Sequence, residues 1–262
     1  MKLGVMPGDA IPAAQLREEG FAAIQLFFGS GADGAAQDLA AADVDATLRA
    51  GGLALAAMTL HVDLVGPRGH IEADVARAVA CVEATAALAG RFGDDPRPIL
   101  VWHPFAYPAG DGVEDAAVFG GLVRALTAVC AAAQEHGVDL AVEITRAGSV
   151  GSAQTFLRLQ DRVGSPALKV CLDAANFTLD RTPLERAVRV LGPHTVIAHG
   201  KDCRFHDDGT VADYGPTGSG RLDYGTYLHC LRDFAQVPYF VLEYYRSREE
   251  LLRARDLVRA CA

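Results

Sequence analysis

Short apolar runs with little polar alternation recur along this chain. They are KLGVM at 2–6, AIQLFF at 23–28, LALAAMTL at 53–60, PILVWH at 98–103, DLAVEI at 139–144, LKVCLD at 168–173, TVIAHG at 195–200 and YFVLEYY at 239–245. Each follows a glycine, a proline or another turn signal. Strands buried on both faces look like this, and such strands belong to parallel sheets. The segments between them read as helices. Ala73 to Leu88 and Ala116 to His136 are alanine-rich, with leucine and valine at three- and four-residue spacings. Gly137 gives the second of these a natural stop. Thr182-Pro183 opens a further helix with proline at its first position, and the last helix starts at Ser247.

Eight β–α units predict an α/β fold, a (β/α)8 TIM barrel that takes residues 1–262 as one domain. A doubly wound open sheet is the rival. It is weakened by the even spacing of the units and by the lack of a Gly-x-Gly-x-x-Gly turn after the first strand. No linker or shift in composition divides the chain.

Composition narrows the function. A half-hydrophobic chain of 262 residues has ample core for one domain. The net charge of −9 argues against a nucleic-acid surface, which needs a clustered basic face. The six cysteines (Cys81, Cys130, Cys171, Cys203, Cys230, Cys261) form no C-x-x-C pair, as in a reduced protein rather than a disulfide framework. Cys171 reads as a small core residue, and Cys203 lies near candidate chemistry. The longer apolar stretches are broken by charges and no leader precedes Lys2, so the expectation is a soluble cytoplasmic protein without a membrane span.

In a barrel, chemistry sits where the strands end. The predicted ends are His61, His103, Glu143, Asp173, His199 and Glu243. The last four belong to consecutive strands and converge above the barrel axis. Three carboxylates and an imidazole make a hard, mainly oxygen site suited to one divalent ion, Mn²⁺, Mg²⁺ or Co²⁺, with Zn²⁺ also compatible. Buried together, such acids are costly unless a cation neutralises them. The alternative is a set of separate salt bridges to arginines at the barrel top.

The glutamate, the Asp173-x-x-Asn176 pair about 30 residues on, the run His199-Gly-Lys201-Asp202, the segment GSGRLDY at 218–224 and the strand-eight glutamate form one pattern. With these motifs the chain resembles, over its whole length, the xylose isomerase-like TIM-barrel superfamily, in particular its sugar and sugar-phosphate isomerase and epimerase branch. The resemblance implies that Glu143, Asp173, His199 and Glu243 hold one divalent metal and that Glu143 and Glu243 also serve as an acid–base pair. The metal then acidifies a C–H beside a carbonyl and stabilises the enediolate formed when one carboxylate takes the proton. The chain departs from the pattern at Asn176, where many relatives have histidine, and Arg204 is near the place of an arginine common in the epimerases. The apurinic-site endonucleases of the superfamily carry extra histidines. His61 and His103 fit that pattern, but Asn176 and Gly215 stand where others are expected. His61 and His103 are therefore read as partners of substrate hydroxyls, with hydrogen bonding in the core as the alternative.

Just beyond strand ends, Arg146, Arg204 and Arg246 can form a clamp for a carboxylate or phosphate, surface solvation being the alternative. The turn Gly218-Ser219-Gly220 can cradle a phosphate. Phe27, Phe28, Trp102, Phe105, Tyr107, Tyr244 and Tyr245 offer an apolar wall, with Trp102, Asn176 and Lys201 as further substrate contacts. The resulting expectation is a metal-dependent isomerase or epimerase of a small keto-sugar or sugar acid. A lyase dehydrating a keto-sugar, keto-inositol or dehydroshikimate-like substrate is the second reading. A sugar-binding barrel without catalysis is the third. Homo-oligomerisation is left open.

Overall fold

Eight parallel strands close on themselves: β1 (Lys2–Val5), β2 (Ala23–Phe27), β3 (Ala54–His61), β4 (Ile99–His103), β5 (Asp139–Glu143), β6 (Leu168–Asp173), β7 (Thr195–Phe205) and β8 (Tyr239–Leu242). Each pairs with the next, and β8 pairs with both β7 and β1, so the ring has no free edge. The protein is a TIM barrel. This computed structural model describes residues 1–7, 11–29, 36–66, 69–92, 97–104, 116–145, 148–179, 184–208 and 210–261. Thr182, Pro183, Phe105, Tyr107 and Arg146, each singled out in the sequence, lie outside the described residues.

The helices are α1 (Ala13–Leu16), α2 (Ala36–Gly51), α3 (Glu72–Phe92), α4 (Ala116–Glu135), α5 (Ala153–Val163), α6 (Ala174–Leu179), α7 (Leu184–Leu191), α8 (Tyr224–Phe234) and α9 (Arg248–Cys261). Gly137 follows α4 at φ +67°, a conformation that costs glycine little. Helix α4 is long and apolar enough to cross a membrane by length and composition. Here Val118, Leu122, Leu126, Val129 and Ala133 are buried within the fold. Helix α9 is tied to the turn before β2: Glu19 pairs with Arg248 and Arg255, and Arg259 donates to the carbonyl of Gly20.

Strand side chains alternate between two buried layers. The outer layer is the larger core, beneath the helices. The smaller cluster of Ala23, Ala57, Ile99, Val101, Ala141, Cys171, Ile197, Tyr239 and Val241 fills the barrel interior. Since side chains repeat every second residue, the interior columns continue upward as Gln25 and Phe27, Thr59 and His61, His103, Glu143, Asp173, His199 and Lys201, and Glu243. The fold places these groups at the mouth end by phase alone.

Two strand ends differ from the sequence expectation. β7 runs on to Phe205 because Val211–Pro216 pairs with it as an antiparallel hairpin, leaving His199 inside the strand. β8 stops at Leu242, and Tyr244 has φ +61°, a left-handed conformation that turns the chain away from the sheet.

Candidate metal centre

Donor atoms of Glu143, Asp173, His199 and Glu243 all lie within 4.8 Å of one another. Register produces the convergence: Asp173 is level with His199, and Val241, two residues before Glu243, is level with His199 on its other side. Asp173 and His199 are fully buried, and Glu143 and Glu243 nearly so. His199 Nδ1 is 3.6 Å from Glu143 Oε2 and 3.8 Å from Glu243 Oε1, yet has no hydrogen-bond partner among the described residues. Asp173 Oδ1 accepts from the Ala175 N–H at 2.9 Å, which fixes the carboxylate on the first turn of α6.

Among the described residues, Lys201 is the cation at this cluster. Its Nζ is 2.5 Å from Asp173 Oδ2 and 3.5 Å from Glu243 Oε1, and it lies about 5 Å from the rings of Tyr214 and Tyr244. Burial opposes its charge, but Asp173, Glu243 and Glu143 together hold it well above the usual lysine range. One ammonium does not balance three carboxylates. Desolvation pushes Glu143 up to about 7 despite His199 and Lys201, and Asp173 is also raised, by burial first. His199 is lowered by burial, so its imidazole is neutral. An imidazole nitrogen with no hydrogen-bond partner among the described residues, set among three carboxylates, fits a divalent cation.

Cys171 also approaches this cluster, with Sγ 3.3 Å from His199 Nε2. Burial first, then the nearby carboxylates of Glu143, Asp173 and Glu243, raise the thiol well above its usual range. This keeps it protonated and a poor metal ligand, although its sulfur lies within 4.8 Å of donor atoms of Glu143 and His199. We therefore assign the four-residue set, not the trio Glu143, Cys171 and His199, as the candidate ligands.

Around the ligands, Asn176 donates from Nδ2 to Glu143 Oε1 at 3.3 Å, so it touches a ligand directly. His103 Nε2 is 3.9 Å from the same oxygen. The His103 ring is 4.8 Å from His61, which meets Phe27 edge-on. Burial and the neighbouring His103 lower His61 to about 4, and burial and Lys201 lower His103, so both are neutral donor–acceptor groups at pH 7. Phe27 is 44% exposed and Tyr244 51%, so both rings reach solvent at the rim.

Other residues sit elsewhere. Trp102 is a correction to the sequence reading. It is 1% exposed in the layer under the helices, with Nε1 donating to the Val62 carbonyl at 2.8 Å. Its neighbour His103 takes the inward phase, so Trp102 must take the outward one. Arg204 is exposed and donates to the Ser219 carbonyl, tying the hairpin to the following turn. The Arg246 side chain is exposed, and its backbone N–H is bound by Glu250 at the start of α9. Neither arginine is brought to the ligands. The turn Gly218-Ser219-Gly220 closes on the protein's own anion: Asp202 Oδ1 accepts from the N–H groups of Cys203 and Leu222. A Cβ on Gly220 would lie 2.3 Å from that oxygen. Cys203 is buried opposite Tyr214 of the hairpin.

The strand-end reading missed two groups. Gln25 and Thr59 are fully buried inside the barrel, and Gln25 Oε1 lies 3.1 Å from His199 Nε2. Their signal was in the sequence as a lone amide and a lone hydroxyl within apolar runs. A groove of about 540 Å³, lined by Met1, Arg97, Ile99, Val196 and Pro238, opens at the opposite end of the barrel. Barrel chemistry does not occur at that end.

The xylose isomerase-like TIM barrel family model matches residues 13–261. A search of curated proteins finds no significant match. Among solved structures, the probable 3-DHS dehydratase AsbF from Bacillus anthracis is 16% identical, with a TM-score of 0.74 over 100% of this chain and 99% of that one. D-psicose 3-epimerase from Clostridium cellulolyticum H10, solved with D-tagatose, is 16% identical, with a TM-score of 0.72 over 100% and 99%. A xylose isomerase-like TIM barrel protein from Mycobacterium smegmatis in complex with magnesium is 15% identical, with a TM-score of 0.66 over 95% and 86%. At these identities the likeness establishes a shared fold.

Proposed function

Because this chain belongs to the xylose isomerase-like TIM barrel family, we propose that it is a divalent-metal-dependent isomerase or epimerase acting next to the carbonyl of a small keto-sugar or sugar acid. The observation that carries this reading is the buried convergence of Glu143, Asp173, His199 and Glu243, with His199 Nδ1 lacking a hydrogen-bond partner among the described residues. Among structures sharing the fold, an epimerase solved with a ketose supports it.

Those four residues would hold the ion, and their hard donor set favours Mg²⁺, Mn²⁺ or Co²⁺, with Zn²⁺ compatible. When bound, the ion supplies Lewis-acid polarisation of substrate oxygens. The chain's own residues do the rest. Glu143 on β5 and Glu243 beyond β8 approach His199 Nδ1 from separate strands, so each can face one side of a planar carbon centre. One takes the proton beside the carbonyl, and the other returns a proton from the opposite side for epimerisation. Asn176 holds the remaining oxygen of Glu143 and orients its carboxylate. Lys201, clasped by Tyr214 and Tyr244, is the cationic partner for a substrate oxygen or carboxylate. His61 and His103 serve as neutral hydroxyl partners beside Phe27, and Arg146 is retained as a candidate anion contact. The six unbridged cysteines suit a reducing cytoplasm, where we place the protein.

A dehydratase is the second reading. It is favoured by the full-length likeness to the probable 3-DHS dehydratase and by the buried ammonium of Lys201, which can assist departure of a hydroxyl. Metal-stripped protein, assayed with Mn²⁺, Mg²⁺ or Co²⁺ on a panel of ketoses, keto-acids, keto-inositols and dehydroshikimate, decides between them. A product of unchanged mass supports the isomerase or epimerase, and loss of one water supports the dehydratase. Full turnover in metal-free protein would sink both.

A further inference from the structure

We propose that Gln25, itself held by Thr59, is a positioning residue that fixes the His199 imidazole with its Nδ1 lone pair aimed at the candidate cation site. The inference rests on the metal-site reading above and adds what sets up one ligand. Gln25 Nε2 donates to Thr59 Oγ1 at 2.8 Å, and its amide oxygen faces His199 Nε2 at 3.1 Å. An amide oxygen only accepts, so Nε2 must carry the ring proton, and a neutral imidazole then leaves Nδ1 bare. This is the nitrogen that faces Glu143 and Glu243.

Cys171 makes Gln25 necessary. Its thiol lies 3.3 Å from the same Nε2 and, alone there, can donate to it and drive the proton to Nδ1. The amide oxygen is the stronger acceptor and sets the opposite tautomer. Packing does not explain Gln25, because its neighbours along the barrel interior are aliphatic and alanine-rich, and a buried amide is unfavourable without hydrogen bonds. Residues that orient a ligating histidine through its other nitrogen commonly change metal affinity 10- to 100-fold when lost.

Two readouts on Gln25→Leu, Gln25→Glu, Thr59→Val and Thr59→Ser test this: Mn²⁺ affinity of metal-stripped protein by calorimetry, and the His199 tautomer in metal-free protein by long-range ¹H–¹⁵N NMR. Gln25→Leu should weaken Mn²⁺ binding by about 10- to 100-fold. Thr59→Val should weaken it less, and both should shift the ring away from the Nε2–H form. Thr59→Ser keeps the hydroxyl and should retain the parent affinity and tautomer, and Gln25→Glu keeps an acceptor at His199 Nε2 and should keep the proton on that nitrogen. Unchanged Mn²⁺ affinity in both Gln25→Leu and Thr59→Val, or an Nδ1–H ring in the parent, overturns the assignment. Should Gln25→Leu fail to fold, the contrast between Thr59→Val and Thr59→Ser decides. A parent that binds no divalent cation refutes the metal-site reading instead, and the tautomer measurement then decides the role of Gln25.

Discussion

Glu143 and Glu243 are both ligand candidates and acid–base candidates, and a substitution that separates the two roles is informative. Glu243→Gln keeps one oxygen donor and the side-chain shape but loses the base. We expect a fall in kcat of about 10²–10⁴-fold with substrate binding retained; kcat near the parent value with metal bound would remove Glu243 from the proton path. In D₂O the parent should place deuterium on the carbon beside the carbonyl, read by product NMR. His61 offers a pH test away from the ligands. Burial first, then His103, lowers it to about 4 from 6.5. Between those values the unfolded chain binds a proton that the folded chain refuses, so this histidine costs stability as pH falls from 6.5 to 4 and costs none above 6.5. Melting temperatures of the parent and His61→Gln should therefore diverge on acidification, the parent dropping more steeply; parallel curves would contradict the assignment.

At the level of elements, the eight strands were legible because each is buried on both faces and interrupted by turn residues. Their facing was not. PILVWH is apolar up to its final His103, so the run does not say that Trp102 faces outward until the barrel sets the phase. The antiparallel partner of β7 was also hidden: VADYGP at 211–216 is short, half exposed and lacks a continuous apolar run. The four ligand candidates were readable as a pattern because chemistry concentrates at strand ends. Gln25 was not, because it lies below the end. The clasp between α9 and the turn before β2 supplies an element-scale prediction. Glu19 and Arg255 are largely shielded, and Glu19 serves two arginines. Glu19→Ala should lower unfolding stability by about 1–2 kcal/mol, more than an exposed pair would. Denaturant titration measures this, and Mn²⁺ affinity should be unchanged because the clasp is remote from the ligands.

For the whole molecule, a cation held by residues of β5, β6, β7 and the chain just beyond β8 binds the folded state alone. At a free concentration 100 times its Kd it should stabilise the fold by about 2.7 kcal/mol. For a chain of this size that is a rise in melting temperature on the order of 5–10 °C, reversed by EDTA. No rise with any of the four ions would argue against the site. The ring has a direction in time as well as in space. Synthesis proceeds from the N-terminus, so β8 and Glu243 leave the ribosome after every other strand and ligand. β8 bonds to both β7 and β1. Its arrival therefore closes the barrel and, with Glu243 one residue beyond it, completes the set of candidate ligands in a single event. A nascent chain halted before β8 holds three of the four candidate donors and two open sheet edges, so the proposed cation site is assembled only as the ring closes.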